Sequence, residues 1–437
     1  MTANTDKLLD TATKLKRIAD LSRNDSGIVF NNLMHLFNKE SLRKCCQELD
    51  GRKALGADGI SKEEYKLNLE ANLEDLIERM KRMAYRPAAV REVLIPKEGK
   101  PGATRPLGIS NFEDKVFQKM MQGVLESIYE PRFKDCSYGF RPNRGCHTAI
   151  KALSDYLFHN KTDTVIDVDI SNFFGSIDHK MLQEMLSRRI SDFRFIRYIV
   201  RMFKAGILAD GELLISDEGV PQGSCCSPVL ANIFAHHVID EWFEEEIKPR
   251  YKAEMFRYAD DVVIVCQQPK DAENINAALE KRLADFKLTL NKEKTKLVEF
   301  SKEKARRGIQ QGGFDFLGFT WYLGRSRKGA VIPKLKTNGK RMRAKLKKVN
   351  QWAREIRSRV ELMDMWKICC SKLRGHIHYY GVSFNSKRVA EFRHRVIGIM
   401  FKWINRRSQR SSLTGDEFNL FLKRFPLPEA AVYVKLF

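Results

Sequence analysis

The sequence predicts an α+β fold in which an antiparallel sheet carries a group of acids and a strongly basic helical region follows it. Three observations predict this. Met255 to Tyr258 is rich in aromatic and bulky residues, Val262 to Val265 is all aliphatic, and Ala259-Asp260-Asp261 between them suits a tight connection, so the stretch reads as strand, turn, strand. Thr164 to Ile170 alternates with a period of two, which puts Asp167 and Asp169 on one face and Ile166, Val168 and Ile170 on the other. Elsewhere apolar residues recur at helical spacing, and cations crowd the last hundred residues.

Two carboxylates at a hairpin tip repel each other and lose hydration. Such a pair is stable mainly with a divalent cation between its members, and hard oxygen ligands suit Mg²⁺. Asp is also common in solvated turns, and the hairpin alone leaves both readings open. The second acidic stretch shifts the balance, because a central strand carrying Asp167 and Asp169 is costly unless the charges are neutralised. Ser171 to His179 follows at once, so these acids stand where a strand ends and a turn begins, a place where side chains converge.

At 437 residues the chain is long enough for more than one domain. It has no run of about eighteen apolar residues, and Met1 to Asp20 mixes Lys, Asp and Thr without an apolar core. The expectation is a cytoplasmic protein with no membrane partner. Nine cysteines include the vicinal pairs Cys45-Cys46, Cys225-Cys226 and Cys369-Cys370 but no C-x₂-C pair to frame zinc, so reduced and mostly buried thiols are expected. The formal charge is +23. From Lys334 onward there are twenty-five Lys and Arg against seven Asp and Glu, so most of the excess lies in the last 104 residues. That distribution points to a polyanion, bound with an affinity that falls as salt rises.

Taken in order, residues 1–25 form a polar, partly helical extension. Asn31 to Leu49 has helical spacing, and Gly51 to Ile60 is a glycine-punctuated basic loop of a make-up that suits a phosphate backbone. Tyr65, Leu69, Leu73, Leu76, Ile77 and Met80 predict one helix, stopped at Tyr85-Arg86-Pro87. Arg91 to Lys97 and Arg105 to Ile109 predict a hairpin. Val116 to Ile128 carries an apolar stripe for the core, as does Ile275 to Phe286. His236-His237, with no acid or cysteine at ligand spacing, reads as structural, and so do His376 and His378. Met342, Leu346, Val349, Ile356 and Val360 give the first basic helix an apolar seam. Around Arg374, and again through Lys402, Arg406 and Arg407, basic and aromatic residues interleave, which suits RNA binding by charge and stacking.

Several of these blocks, in this order, resemble bacterial group II intron-encoded reverse transcriptases with a fused maturase region. Arg257-Tyr258-Ala259-Asp260-Asp261 resembles that family's catalytic hairpin, and Asp167-Val168-Asp169-Ile170-Ser171-Asn172-Phe173-Phe174 its other metal-binding strand. Gly219-Val220-Pro221-Gln222-Gly223-Ser224 resembles the loop that holds template and incoming nucleotide, and Ser137 to Gly145 a block that positions the template. The resemblance spans roughly residues 30 to 437. It implies a right-hand polymerase, with fingers and palm over 26–330 and an α-helical thumb or maturase region over 331–437. In that family Asp169 and Asp260 hold two Mg²⁺ ions, with Mn²⁺ a possible substitute, while the Ile170 carbonyl is a further ligand and Asp261 assists. Asp167 is left as a supporting acid.

The remaining site residues follow from the same resemblance. Lys97 and Arg105 hold the triphosphate, Phe174 packs where a ribose 2′-hydroxyl would project, Gln222 reaches the sugar or base, and Lys294, with Lys292 and Lys296 as rivals, approaches the leaving pyrophosphate. Arg141 and Arg144 are offered to phosphate, with an ion pair to an acid inside the fold as the alternative for one of them. Gly175 stands where relatives often have an acid, and Val220 and Ser224-Cys225-Cys226 also depart from the family pattern. The implied reaction is RNA-templated attack of a DNA or RNA primer's 3′-oxygen on the α-phosphorus of a dNTP. A structured intron RNA is the implied partner in splicing. An RNA-binding splicing cofactor and a domesticated enzyme in host defence or repair are the alternatives. With no Cys- and His-rich nuclease module after the basic region, a member lacking its own DNA-cleaving domain is expected.

Overall fold

The Thr164–Ser171 strand lies in the middle of a five-stranded antiparallel sheet. On one side it pairs with Asp261–Cys266, whose own partner is Ala253–Tyr258, and on the other with Thr289–Leu290 and Lys296–Glu299. The computed structural model describes residues 10–96, 102, 104–209, 211–220, 223–407 and 413–436. The alternation read from the sequence is the alternation of the strand: Ile166, Val168 and Ile170 are buried, whereas Asp167 and Asp169 are only partly covered.

This sheet separates two cores. Ile166, Val168 and Ile170 join Val262, Ile264 and Met255 in a core closed by the helices Phe112–Tyr129, Ser227–Ala235 and Pro269–Asp285. Val165, Phe256, Val263 and Val265 face the other way. Their core is shared with the helix Cys146–His159, with a three-stranded antiparallel sheet (Gly313–Phe316, Phe319–Arg325 and Val331–Thr337) and with the helices Gly339–Ile356, Leu362–Tyr380 and Ser386–Ile404. The acids share this second face. A third sheet pairs Val90–Pro96 with Thr104–Ile109, the predicted hairpin, and adds Ile207–Ala209 and Glu212–Leu214.

The tip of the acidic hairpin is a two-residue turn in which Ala259 is left-handed, φ +58°. For a residue with a Cβ that conformation costs about 1–2 kcal/mol, and the surroundings hold it there. Arg257, fully buried on the strand before the turn, donates from Nη1 to the Ala259 carbonyl at 3.0 Å and to Asn232 Oδ1 at 3.1 Å. Its Nε and Nη2 grip both oxygens of Asp240 at 2.6 and 2.5 Å, and Nη2 also donates to Ser137 Oγ at 2.7 Å. Gly139 lies against the turn so closely that a Cβ there would meet the Ala259 nitrogen at 2.5 Å.

Four expectations change. Asn31 to Leu49, read as helical, forms a single tight turn at Met34–Leu36 and a helix only over Lys39–Glu48, capped by Asn38. The helix expected over Tyr65 to Met80 is two, Lys62–Leu67 and Leu69–Lys81, because Asn68 leaves helical geometry at φ −121°, ψ 37°. Val360 lies beyond the end of its helix at Ile356, although it still packs on the second core. A boundary at residue 330 falls inside the three-stranded sheet: Val331–Thr337 pairs along its whole length with Phe319–Arg325, and the helical region starts only at Gly339.

Replacing Arg257 with Met should leave the Asp240 carboxylate buried without a cation, at a cost of about 3–5 kcal/mol. Urea unfolding checks this, and the double variant Arg257→Met/Asp240→Leu should recover much of the loss. A single variant no less stable than the double would refute the pairing argument.

Candidate active site

Asp169 and Asp261 stand directly opposite each other in the strand register, and Asp260 sits one residue earlier in the turn. A carboxylate oxygen of Asp169 accepts from Lys294 Nζ at 3.0 Å, with the two side chains 39% and 50% exposed. Asp261 Oδ2 accepts from the Leu317 amide at 3.4 Å, across the turn that joins Gly313–Phe316 to Phe319–Arg325. Leu317 and Gly318 both have positive φ, the pairing a two-residue hairpin requires. The three acids thus share one end of the sheet without closing on a common point: Asp169 is turned to Lys294 and Asp261 to the Leu317 amide.

Burial opposes ionisation here, and the acids oppose one another. Burial pushes Asp261 up to about 7, with the Asp167 and Asp260 charges acting in the same direction. Asp167 is pushed up to about 6, first by burial and then by Asp315 and Asp169. Asp260 is raised too, by burial and by Asp169, against a backbone hydrogen bond, Arg257 and Arg105 that lower it. Carboxylates held together at a cost, with no aromatic nitrogen or thiolate among them, are the donor set of a hard divalent cation. Mg²⁺ fits them. Ile170 is buried and in register with Leu290 beside them.

Two cavities meet at Arg105, an exposed residue that lines both. One, of ≈ 540 Å³, has Asp260, Phe174 and Glu92 on its walls. The other, of ≈ 840 Å³, has Asp169, Asp261, Lys294, Lys296 and Arg341. Phe174 is held edge-on by Phe173, with ring centres 5.7 Å apart, and by Phe140 at 6.4 Å. The glycine at 175 has a local cause: a Cβ there would meet the Asn172 side chain at 2.3 Å. Of the rival lysines, Lys292 is engaged with Glu280 at 2.6 Å and Lys296 lines the same cavity near Asp167, whereas Lys294 is in a direct ion pair with Asp169. Lys97 and Gln222 lie outside the described residues.

The arginines offered to RNA divide. Arg141 is buried: Nε and Nη2 hold Glu130, and Nη1 donates to the carbonyls of Lys134 and Ser137, both at 2.8 Å. Its guanidinium faces into the fold, so Arg141 is the one that pairs with an internal acid, and its phosphate contact is corrected on that ground. Arg144 pairs with the exposed Asp135 at 2.6 Å and stacks over Tyr138. Arg407 is partly buried, with Nη2 donating to the Val360 carbonyl at 2.8 Å. Arg374, Lys402 and Arg406 are exposed, the last two over the Trp403 ring at 5.1 and 5.3 Å.

Reading the sequence missed Arg257, Asp240, Asn232 and Ser137, which hold the acidic turn from behind. Its one signal was an arginine inside a strand otherwise suited to burial.

A family model described as reverse transcriptase (RNA-dependent DNA polymerase) matches residues 95–321, a span that contains all of these acids and Lys294. The chain belongs to the reverse transcriptase family. Protein YkfC of Escherichia coli is 31% identical over 316 residues, which is 64% of this chain and 79% of that protein. The group II intron-encoded protein LtrA of Lactococcus lactis is 32% identical over 253 residues, 55% of this chain and 42% of LtrA, so the similarity spans less than half of LtrA's length. The nuclear intron maturase 2 of Arabidopsis thaliana is 23% identical over 181 residues. Within the family this chain is of the group II intron-like reverse transcriptase and maturase type. Among its described residues no helix is long and apolar enough to cross a membrane.

The raised acids set a pH dependence. A folded state that prefers the neutral carboxyl loses stability as pH climbs from the ordinary value, 3.8, to about 7, since the unfolded chain ionises first. With EDTA present, the melting temperature of Asp261→Asn should therefore pull ahead of wild type between pH 5 and pH 8, and added Mg²⁺ should narrow the gap. A gap that does not vary with pH would remove the burial argument.

Proposed function

We propose that this chain is an RNA-directed DNA polymerase that extends a DNA or RNA primer with dNTPs on an RNA template. The observation that carries the reading is the register of Asp169 against Asp261, with Asp260 at the adjoining turn and an arginine between the two cavities the acids face. In this reading Asp169, Asp260 and Asp261, with the Ile170 carbonyl, hold two Mg²⁺ ions. Bound there, Mg²⁺ supplies Lewis-acid activation of the primer oxygen and neutralises charge on the phosphates. Arg105, with Lys97, binds and orients the triphosphate, because fixed cations opposite a polyphosphate offset its charge. Lys294, paired with Asp169 at 3.0 Å, is the cation that meets the departing pyrophosphate. Gln222 meets the sugar or base, and Phe174 excludes a 2′-hydroxyl both by its bulk and by offering no hydrogen bond.

The architecture proposed is a right hand. Residues 26–330 supply fingers and palm, 331–437 a basic thumb or maturase region, and 1–25 an extension; the sheet pairing favours moving the second boundary to about residue 338. The protein is proposed to work in the cytoplasm.

A second function, binding a structured intron RNA to assist splicing, is favoured by one particular surface. Arg357, Lys402 and Arg406 surround Trp403 within 5.3 Å, in the region that holds most of the chain's excess positive charge. Trp403 itself is buried, so this surface suits charge contact with RNA phosphates, and the expected stacking on this ring is corrected.

Primer extension on a defined RNA template with Mg²⁺ and dNTPs tests the polymerase. Wild type should extend, and a folded Asp260→Asn variant should lose activity by at least about a hundred-fold. RNA binding without extension by wild type would leave the RNA-cofactor reading in its place. Phe174→Ala should keep dNTP extension and raise rNTP incorporation about ten-fold or more; unchanged sugar selection would take Phe174 out of that role.

A further inference from the structure

Behind the acidic hairpin the helix Ser227–Ala235 changes its winding. His236–Asp240 forms a π turn in which the Glu241 amide donates to the His236 carbonyl, five residues back. Residues five apart lie about 140° round an α-helix and do not meet; the wider turn brings His236 and Glu241 to the same side. His236 Nε2 is 3.3 Å from Glu241 Oε1, and His237 Nδ1 is 2.6 Å from Oε2. Among the described residues these three form the one group whose metal-ligating atoms all lie within 4.8 Å of one another. The sequence-based expectation that no acid stands at ligand spacing is thereby corrected. Glu241 is four residues from His237 and, through the π turn, a neighbour of His236.

We propose that His236, His237 and Glu241 form a binding site for a zinc-class divalent ion, separate from the carboxylate site of the hairpin. Two imidazole nitrogens and one carboxylate are a common protein ligand set for Zn²⁺, with water in the fourth position, whereas Mg²⁺ favours oxygen ligands. A tetrahedral ion about 2.0–2.1 Å from its ligands sets them about 3.3 Å apart, close to the spacing of His236 and Glu241.

The hydrogen balance at His236 favours an ion as well; His237 Nε2 is buried without a partner in either case. With neutral imidazoles and no metal, each must carry its hydrogen on the nitrogen that faces Glu241. His236 Nδ1 is then a bare lone pair, buried without a hydrogen-bond partner, 3.9 Å from the Asp240 carboxylate. An ion on Nε2 moves that hydrogen to Nδ1, on the side of the Asp240 carboxylate 3.9 Å away, the side from which a carboxylate orients a metal-bound histidine. His236 is buried and His237 nearly so, but the Glu241 side chain is 32% exposed and opens the site to solvent. Because Asp240 also grips Arg257, the ion would brace the support of the Asp260 turn from outside the reaction centre.

The test uses the full chain, stripped with chelator and titrated with Zn²⁺ by calorimetry in excess Mg²⁺, with wild type, His237→Ala, Glu241→Gln and Asp169→Asn compared. The expected result is one Zn²⁺ per wild-type chain, undisturbed by Mg²⁺ and retained by Asp169→Asn. Binding should weaken by at least about ten-fold in both cluster variants. Zn²⁺ should raise the melting temperature of wild type but not of Glu241→Gln, a near-isosteric change at a half-buried position, with circular dichroism used to check that the variant is folded. Co²⁺ in place of Zn²⁺ should show visible bands of a nitrogen and oxygen site. Thiolate charge-transfer bands would instead place the ion on some of the nine cysteines and overturn the proposal. So would equal Zn²⁺ binding by all four proteins, or none by wild type.

Discussion

The acidic hairpin depends on one buried ion pair. Arg257 and Asp240 are both fully covered, and a buried pair repays its desolvation only when the geometry is good and the remaining donors are also satisfied. Here they are. Two nitrogens take the carboxylate, and the guanidinium also reaches Asn232, Ser137 and the carbonyl of left-handed Ala259. Asn232 in turn donates to the Gly139 carbonyl at 2.7 Å, so the segment that presses on the turn is fixed by the same network. A strained turn carrying an unfavourable charge is held by groups that never touch the cavities in front of it.

That support holds the acids where burial and their mutual charge oppose ionisation. Asp167, Asp260 and Asp261 are all raised above their ordinary range, chiefly by burial, and a hydrophobic residue at any of these positions would relieve the tension. Lys294 offsets part of it at Asp169. The arrangement is a destabilised one that a cation would relax, and strain of this kind collects where a fold gives up stability for chemistry.

Much of this was legible in the residues. The period of two in Thr164 to Ile170 and the aliphatic run after Asp261 report burial directly, and both strands stand where that pattern puts them. The hairpin at Val90–Pro96 and the helices Phe112–Tyr129 and Pro269–Asp285 were legible for the same reason. What periodicity does not carry is partner choice. Arg141 and Arg144 look alike as cations in a loop, yet one is enclosed by Glu130 and two carbonyls while the other pairs with an exposed acid, and only tertiary contacts separate them. Likewise His236 and Glu241 are far apart on any α-helical wheel, and their meeting depends on a local change of winding that the apolar pattern does not announce.

The central sheet belongs to two cores at once, and the one on the acidic face is completed by Trp321, Leu335, Met342, Trp366 and Met400. The basic helices are therefore not a detachable module hung on a finished enzyme. Cutting the chain before them would bare Leu335 and the rest of the three-stranded sheet's face in that core to water, so the basic region and the acid-bearing sheet keep or lose their stability together.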